Sequence, residues 1–181
     1  MYPTDVRKGG SGHYYISEYG MGAERVHVFD AERAFARQWG KHGESEGEFN
    51  RAMAIELATG SDAASERVYV CDTANHRVQW FTTDGEWQGV IGGAGSGQGQ
   101  LRFPYDVALA PDGSILACEY GGNRVSRFGP DGEYVGAFGE AGRRVGEFNG
   151  PRGIAVSESG MVFVADTDNH RIQRLTLEDL A

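Results

Sequence analysis

The sequence predicts an all-β chain made of four tandem copies of one four-stranded unit, and three observations carry that prediction. First, the octapeptide Asp72-Thr73-Ala74-Asn75-His76-Arg77-Val78-Gln79 returns almost unchanged as Asp166-Thr167-Asp168-Asn169-His170-Arg171-Ile172-Gln173. Looser copies are Glu119-Tyr120-Gly121-Gly122-Asn123-Arg124-Val125-Ser126 and Glu18-Tyr19-Gly20 leading to Arg25-Val26-His27. Second, the arginines at 25, 77, 124 and 171 stand 52, 47 and 47 residues apart, a period close to the roughly 40–50 residues of a propeller blade. Third, the 181 residues include 28 glycines but only 5 prolines, the punctuation of many tight turns between short strands.

The third copy shows the elements in order. Tyr105 to Leu109 is an apolar run, Pro111-Asp112-Gly113 a turn, and Ile115 to Cys118 a second strand. A polar turn at Gly121-Gly122-Asn123 leads into the alternating strand Arg124 to Phe128, and Gly129 to Gly132 turns the chain into Tyr134 to Phe138. Gly139-Glu140-Ala141-Gly142 and Gly146-Glu147-Phe148 then carry it to the next copy. The same connector occurs as Gly40-Lys41-His42-Gly43 with Gly47-Glu48-Phe49, and as Gly92 to Leu101. Within it, Gly92-Gly93-Ala94-Gly95-Ser96-Gly97 reads as a flexible link and not a nucleotide cradle, since no helix follows. The copies span approximately 1–50, 51–102, 103–149 and 150–181 of a single region. A four-stranded unit of this size cannot bury both faces alone, so the copies are expected to stack around an axis as β-propeller blades. The strands of a β-sandwich would not repeat in identity every fourth element.

The openings Phe103-Pro104 and Gly150-Pro151, the strand ending in an acidic residue, Asn-His-Arg-Val/Ile and the glycine-bracketed exit together resemble the NHL repeat. The resemblance covers nearly the whole chain. Ala52 stands where the opening proline is expected, residues 59–66 carry an insertion, and two extra residues precede Arg25. The resemblance implies a propeller of a family known chiefly in six-bladed form, whose members bind protein or RNA and in some cases act as lyases. It implies fold strongly and function weakly. The last copy ends in Leu177 to Ala181 after its third strand, and no strand precedes Pro3 to supply a fourth. The expectation is an open arc or part of a larger propeller, with exposed strand edges and blade faces that invite self-association.

Composition narrows the function classes. A formal charge of −9 disfavours binding along nucleic-acid phosphates, RNA included, where affinity comes from clustered Lys and Arg. No stretch approaches the roughly 18 apolar residues of a membrane helix. The start lacks the basic-then-apolar pattern of a signal peptide, so a soluble, cytoplasmic protein without membrane contact is expected.

Most chemically tempting residues belong to the repeat. Cys71 and Cys118 precede the acidic residue where the other copies have Ser17 and Ala165; a small-residue packing position and free, buried thiols follow. The pairs Glu18/Arg25, Asp72/Arg77, Glu119/Arg124 and Asp166/Arg171 recur in every blade and so read as structural ion pairs. Asn75, Asn123 and Asn169 read as turn residues that tolerate left-handed backbone, and His76 and His170 as blade-edge positions. Nothing matches Gly-Xaa-Ser-Xaa-Gly, a phosphate loop or a Cys-His pair, so no catalytic residue is assigned.

One feature lies outside the repeat. The first and third copies share aromatic-Pro-Xaa-Asp-Val, at Tyr2 to Val6 and Phe103 to Val107, followed later by Glu-Tyr-Gly. The second and fourth have Ala54-Ile55 and Gly153-Ile154 instead. A two-blade duplication explains the alternation. Alternatively Asp5 and Asp106, with Glu18, Tyr19, Glu119 and Tyr120, line an acidic channel mouth, with the two aspartates as ligands of calcium or another divalent cation. The expected function is a non-catalytic recognition or assembly scaffold for a protein, peptide or carbohydrate, with no resident cofactor. The alternative is a metal-dependent lyase or hydrolase sited at the channel mouth, although the first strands offer no imidazoles for it.

Overall fold

The computed structural model describes residues 2–20, 22–58 and 66–181. Of the insertion at 59–66, only Glu66 falls within the described residues. Three sheets have four antiparallel strands in sequential order. The first holds β1 (Tyr2–Lys8), β2 (Tyr14–Tyr19), β3 (Arg25–Phe29) and β4 (Phe35–Trp39). The second holds β5 (Ala52–Ala58), β6 (Arg67–Asp72), β7 (Arg77–Thr82) and β8 (Trp87–Gly92). The third holds β9 (Pro104–Leu109), β10 (Ile115–Glu119), β11 (Arg124–Phe128) and β12 (Tyr134–Phe138). Two short strands, β13 (Glu140–Ala141) and β14 (Glu147–Phe148), pair in parallel, and a three-stranded sheet follows from β15 (Gly153–Val156), β16 (Met161–Asp166) and β17 (Arg171–Thr176). Each larger sheet is one propeller blade, and the strands expected at 124–128 and 134–138 form at those bounds.

The chain divides into compact units at residues 1–90 and 91–181. In the first unit, alternation along β3 turns Val26 and Val28 into a core with Tyr15, Ile55, Val68, Val70 and Phe81. Blade 1 and blade 2 pack here, with Trp39 and Trp87 at the margin. In the second unit the corresponding core gathers Leu116, Val125, Phe148, Val162, Val164 and Leu180. Full burial of each such aliphatic or aromatic side chain contributes about 1.5–3 kcal/mol. Leu180 arrives on a 3-10 turn, Leu177–Leu180, which follows β17 and packs on β12. Thr176 and Asp179 close that turn with a capping box.

The glycine-rich connectors, Gly92 to Leu101 among them, are hydrogen-bonded loops. In each, one glycine amide donates across the loop in the same way: Gly43 N–H to Phe49 O at 3.0 Å, Gly95 N–H to Leu101 O at 3.2 Å, and Gly142 N–H to Phe148 O at 2.9 Å. The apolar residue ending each loop, Phe49, Leu101 or Phe148, is fully buried. Glycine is required where the loop leaves the sheet. Gly40 and Gly139 have φ of +93° and +106°, and a Cβ at either would lie 2.5 Å or 2.4 Å from the ring of Phe49 or Phe148. Among the described residues no helix is long and apolar enough to cross a membrane.

Candidate functional site

The repeated acidic residue lies at or next to the end of the second strand of each blade, and antiparallel register places it opposite the arginine that opens the third: Glu18 with Arg25, Asp72 with Arg77, Glu119 with Arg124 and Asp166 with Arg171. Each arginine Nε donates to its carboxylate, at 2.9, 2.7, 2.7 and 2.7 Å. Asp72, Glu119 and Asp166 are fully buried. The remaining guanidinium nitrogens hold the preceding connector. Arg77 donates to Ser45 O and Glu48 O, Arg124 to Ser96 O and Gln100 O, and Arg171 to Arg143 O, Arg144 O and Glu147 O. The carboxylates in turn accept connector amides, from Asn50 to Asp72, Arg102 to Glu119 and Asn149 to Asp166. The residue two beyond the arginine completes the clamp: Gln79, Ser126 and Gln173 each donate to the buried acid, and His27 Nε2 lies 3.0 Å from Glu18 Oε1. The signature therefore ties each loop to the blade that follows it.

All three asparagines lie in turns as expected, and they divide into two roles. Asn75 and Asn169 donate to Asp72 and Asp166 and to the connector carbonyls of Gly43 and Gly142. Asn123 instead occupies the place of His76 and His170, directly before the arginine, and these three share left-handed φ of 52°, 58° and 54°. The two histidines each terminate a 3-10 turn.

Burial pushes the carboxyls of Asp72 and Asp166 upward, but with different net results. At Asp72 burial wins and the pKa is raised. At Asp166 the hydrogen bonds from Asn149, Asn169, Arg171 and Gln173 outweigh burial, and the pKa is lowered. Arg171 is also more open than Arg77, at 29% against 16% exposure. Both cysteines are buried and neither forms a disulfide among the described residues; burial, followed by the nearby charges of Asp106, Glu119 and Asp166, holds the Cys118 thiol well above its ordinary pKa.

The alternating aspartates are clasps between blades. Asp5 Oδ2 accepts Ile55 N–H at 3.2 Å, and its Oδ1 accepts Val6 N–H and pairs with Arg7 Nη1 at 2.6 Å. Asp106 Oδ2 accepts Ile154 N–H at 2.8 Å while Oδ1 accepts Val107 N–H. A second clasp, not foreseen from the sequence, accompanies each: Glu24 Oε2 accepts Arg51 N–H at 3.0 Å, and Asn123 Oδ1 accepts Gly150 N–H at 2.9 Å. The Glu-Tyr-Gly segments have a packing reason, since a Cβ on Gly20 or Gly121 would lie 2.8 or 2.7 Å from the ring of Tyr2 or Phe103. Tyr19 packs against Tyr2, with ring centroids 5.8 Å apart. Tyr120 packs against Tyr105 at 5.7 Å, and the Arg152 guanidinium lies over both rings.

The residues grouped in sequence as an acidic mouth thus have separate duties: Glu18 and Glu119 serve the clamps, Asp5 and Asp106 the clasps, and Tyr19 and Tyr120 the aromatic pairs. Among the described residues no three His, Cys, Asp or Glu side chains form a group that could hold a metal ion.

These stacked four-stranded sheets, clamped by a buried acid–arginine signature, define a β-propeller. The NHL repeat profile matches residues 61–81 and 148–175, so the chain carries NHL repeats in its second and fourth blades. A sequence comparison with curated proteins finds no match. Among solved structures, the chain is similar to a catalytically inactive virginiamycin B lyase from Staphylococcus aureus with quinupristin, at 19% identity and a TM-score of 0.69, over 98% of this chain and 53% of that one. It is also similar to Kuenenia stuttgartiensis hydrazine synthase, at 14% identity and a TM-score of 0.72, over 97% and 46%. A Bacteroides caccae protein of unknown function aligns at 10% identity with a TM-score of 0.68, over 98% and 64%. At these identities the likeness establishes the fold. The chain spans about half the length of the first two structures.

Proposed function

We propose that this chain is a non-catalytic recognition and assembly module whose partner is protein, namely the blade face of a second copy of the same chain. The carrying observation is the face of blade 1 opposite its core. Tyr14, Ile16, His27 and Phe29 alternate with the core residues Tyr15, Val26 and Val28. With Val6 and Phe35, at 53% and 57% exposure, they leave an apolar surface. The rings of His27, Phe29 and Phe35 pack on one another at 6.0–6.4 Å. A cleft of about 400 Å³ opens between Val6, Tyr14, Ile16, Phe29 and Arg33. Inside a propeller such a face is covered by a neighbouring blade.

Two arguments favour a second copy as the cover. Blade 4 carries Phe163 and Ile172, 40% and 66% exposed, on the face that alternates with its buried Val162 and Val164. Two copies would also supply about the length of the matched lyase, of which one chain covers 53%. Sedimentation equilibrium tests the proposal: a particle of twice 19.6 kDa is expected, returning to 19.6 kDa in Phe35→Glu. A wild-type chain that stays at 19.6 kDa, or a dimer unaffected by the substitution, contradicts it.

A further inference from the structure

We propose that residues 1–90 contain a second, independent site, a polar cleft that binds a polyhydroxylated small molecule of the monosaccharide class. The cleft encloses about 520 Å³, within the roughly 300–1,000 Å³ of small-molecule sites. Ser11 and His13 reach it from the β1–β2 turn, Tyr15 from β2, Arg37 from β4, the segment Thr82 to Glu86 from the β7–β8 turn, and Glu66 from just ahead of β6.

Glu66 is the residue that points to a ligand. It is 5% exposed. Its Oε1 accepts the Gly10 amide at 2.8 Å, whereas Oε2 is buried and has no hydrogen-bond partner among the described residues. A buried carboxylate oxygen is ordinarily bonded, and leaving it unmatched is unfavourable. A hydroxyl group held in the cleft would supply the missing donor. The opposite chemistry stands ready on the same walls. Arg37 is held by donating to the Thr83 carbonyl through Nε at 3.1 Å and Nη2 at 2.8 Å, with Asp84 at 3.5 Å. Burial, partly offset by Arg37, raises the Tyr15 pKa, which keeps its hydroxyl protonated at neutral pH.

The mixture of groups selects the ligand class. An inorganic anion would face Glu66, Asp84 and Glu86. An amine only donates and would leave Arg37 unused. Hydroxyl groups both donate and accept, which matches walls that carry both Arg37 and Glu66.

The test is amide-resolved NMR of the whole chain titrated separately with D-glucose, D-mannose, N-acetylglucosamine and putrescine. Saturable shifts of the Gly10 and Thr83 amides are expected with at least one sugar. Glu66→Gln keeps an oxygen for Gly10 but replaces the open acceptor with a donor, and should weaken binding about ten-fold or more. Should Glu66→Gln fail to fold, Asp84→Asn decides in its place, because Asp84 is 79% exposed and its loss should still weaken sugar binding. No shift with any of the three sugars, binding of putrescine alone, or unchanged sugar affinity in the deciding variant overturns the proposal.

Discussion

Asp106 Oδ2 accepts the backbone N–H of Ile154 at 2.8 Å, joining the first strand of blade 3 to the first strand of blade 4 across 48 residues of chain. Asp5 makes the same bond to Ile55 across 50 residues. The second clasps, Glu24 to Arg51 and Asn123 to Gly150, repeat the pattern. In all four of these clasps the odd blade supplies the side-chain acceptor and the even blade the backbone donor. The even blades therefore carry small residues at the matching place, Ala54 and Gly153; a Cβ on Gly153 would lie 3.3 Å from the Ala165 Cβ and 3.9 Å from Asp106 Oδ2. The alternation visible in the sequence is thus a way of fastening blades in pairs.

Removing a clasp should destabilise its pair. Asp106→Ala is expected to lower unfolding free energy by about 1–3 kcal/mol, the usual result of leaving a buried donor unmatched. Asp106→Asn, which retains a carbonyl oxygen, should lose less. Asp5→Ala should also lose less than Asp106→Ala, because its bond to Ile55 is longer at 3.2 Å. Urea unfolding of the three variants checks the order.

Breaking a clamp should do more harm. Asp72→Ala strands the Arg77 guanidinium and frees the Asn50 amide together, and loss of one partner of a buried ion pair costs about 3–5 kcal/mol. Limited proteolysis of the same variant should cut within residues 40–50, the connector that Arg77 and Gln79 hold.

The thiols should be silent in the folded protein. Cys71 and Cys118 are both fully buried, and burial suppresses the reactive thiolate of Cys118. A disulfide-exchange reagent should titrate no thiol in native buffer and 2 per chain in denaturant.

Acid should weaken the fold through the carboxylates that hydrogen bonds hold ionised. Those of Glu48, bonded first by Lys41, Asp112 by Ser114, Glu147 by the Arg144 amide, and Asp179 by the Thr176 amide all have lowered pKa values, as does Asp166 despite its burial. Each contributes stability above the ordinary carboxylate range that is lost as pH falls through the lowered value. Asp72, raised by burial, has the opposite sign: its folded form takes up a proton first, so its contribution falls as pH rises between the ordinary and raised values. The urea midpoint should therefore drop below roughly pH 4. In Asp72→Asn the small gain in stability as pH falls from the raised value to the ordinary carboxylate range should vanish, so the decline begins at a higher pH.

The strands and the clamp were legible because both repeat. Arg124 to Phe128 alternates cleanly, and an acid–arginine pair present in four copies could be assigned to blade architecture before any contact was known. The clasps were only half legible. Asp5 and Asp106 stood out by alternation, but their partners are backbone amides, which every residue except proline carries and which leave no mark in a sequence. The turn role of Asn123 was legible, but its side-chain partner was not, because register against Arg124 sets it with His76 and His170 while its acceptor meets the Gly150 amide. Glu24 and Glu66 gave no signal, being single acids beside an irregular turn and an insertion.

The pairing of blades by side-chain clasps is tested most directly by amide hydrogen exchange at Ile154 in the wild type and in Asp106→Ala. Protection at Ile154 is expected to fall about ten-fold or more in the variant beyond the loss shared by the β16–β17 amides. Equal protection at Ile154 in the two proteins would contradict the pairing.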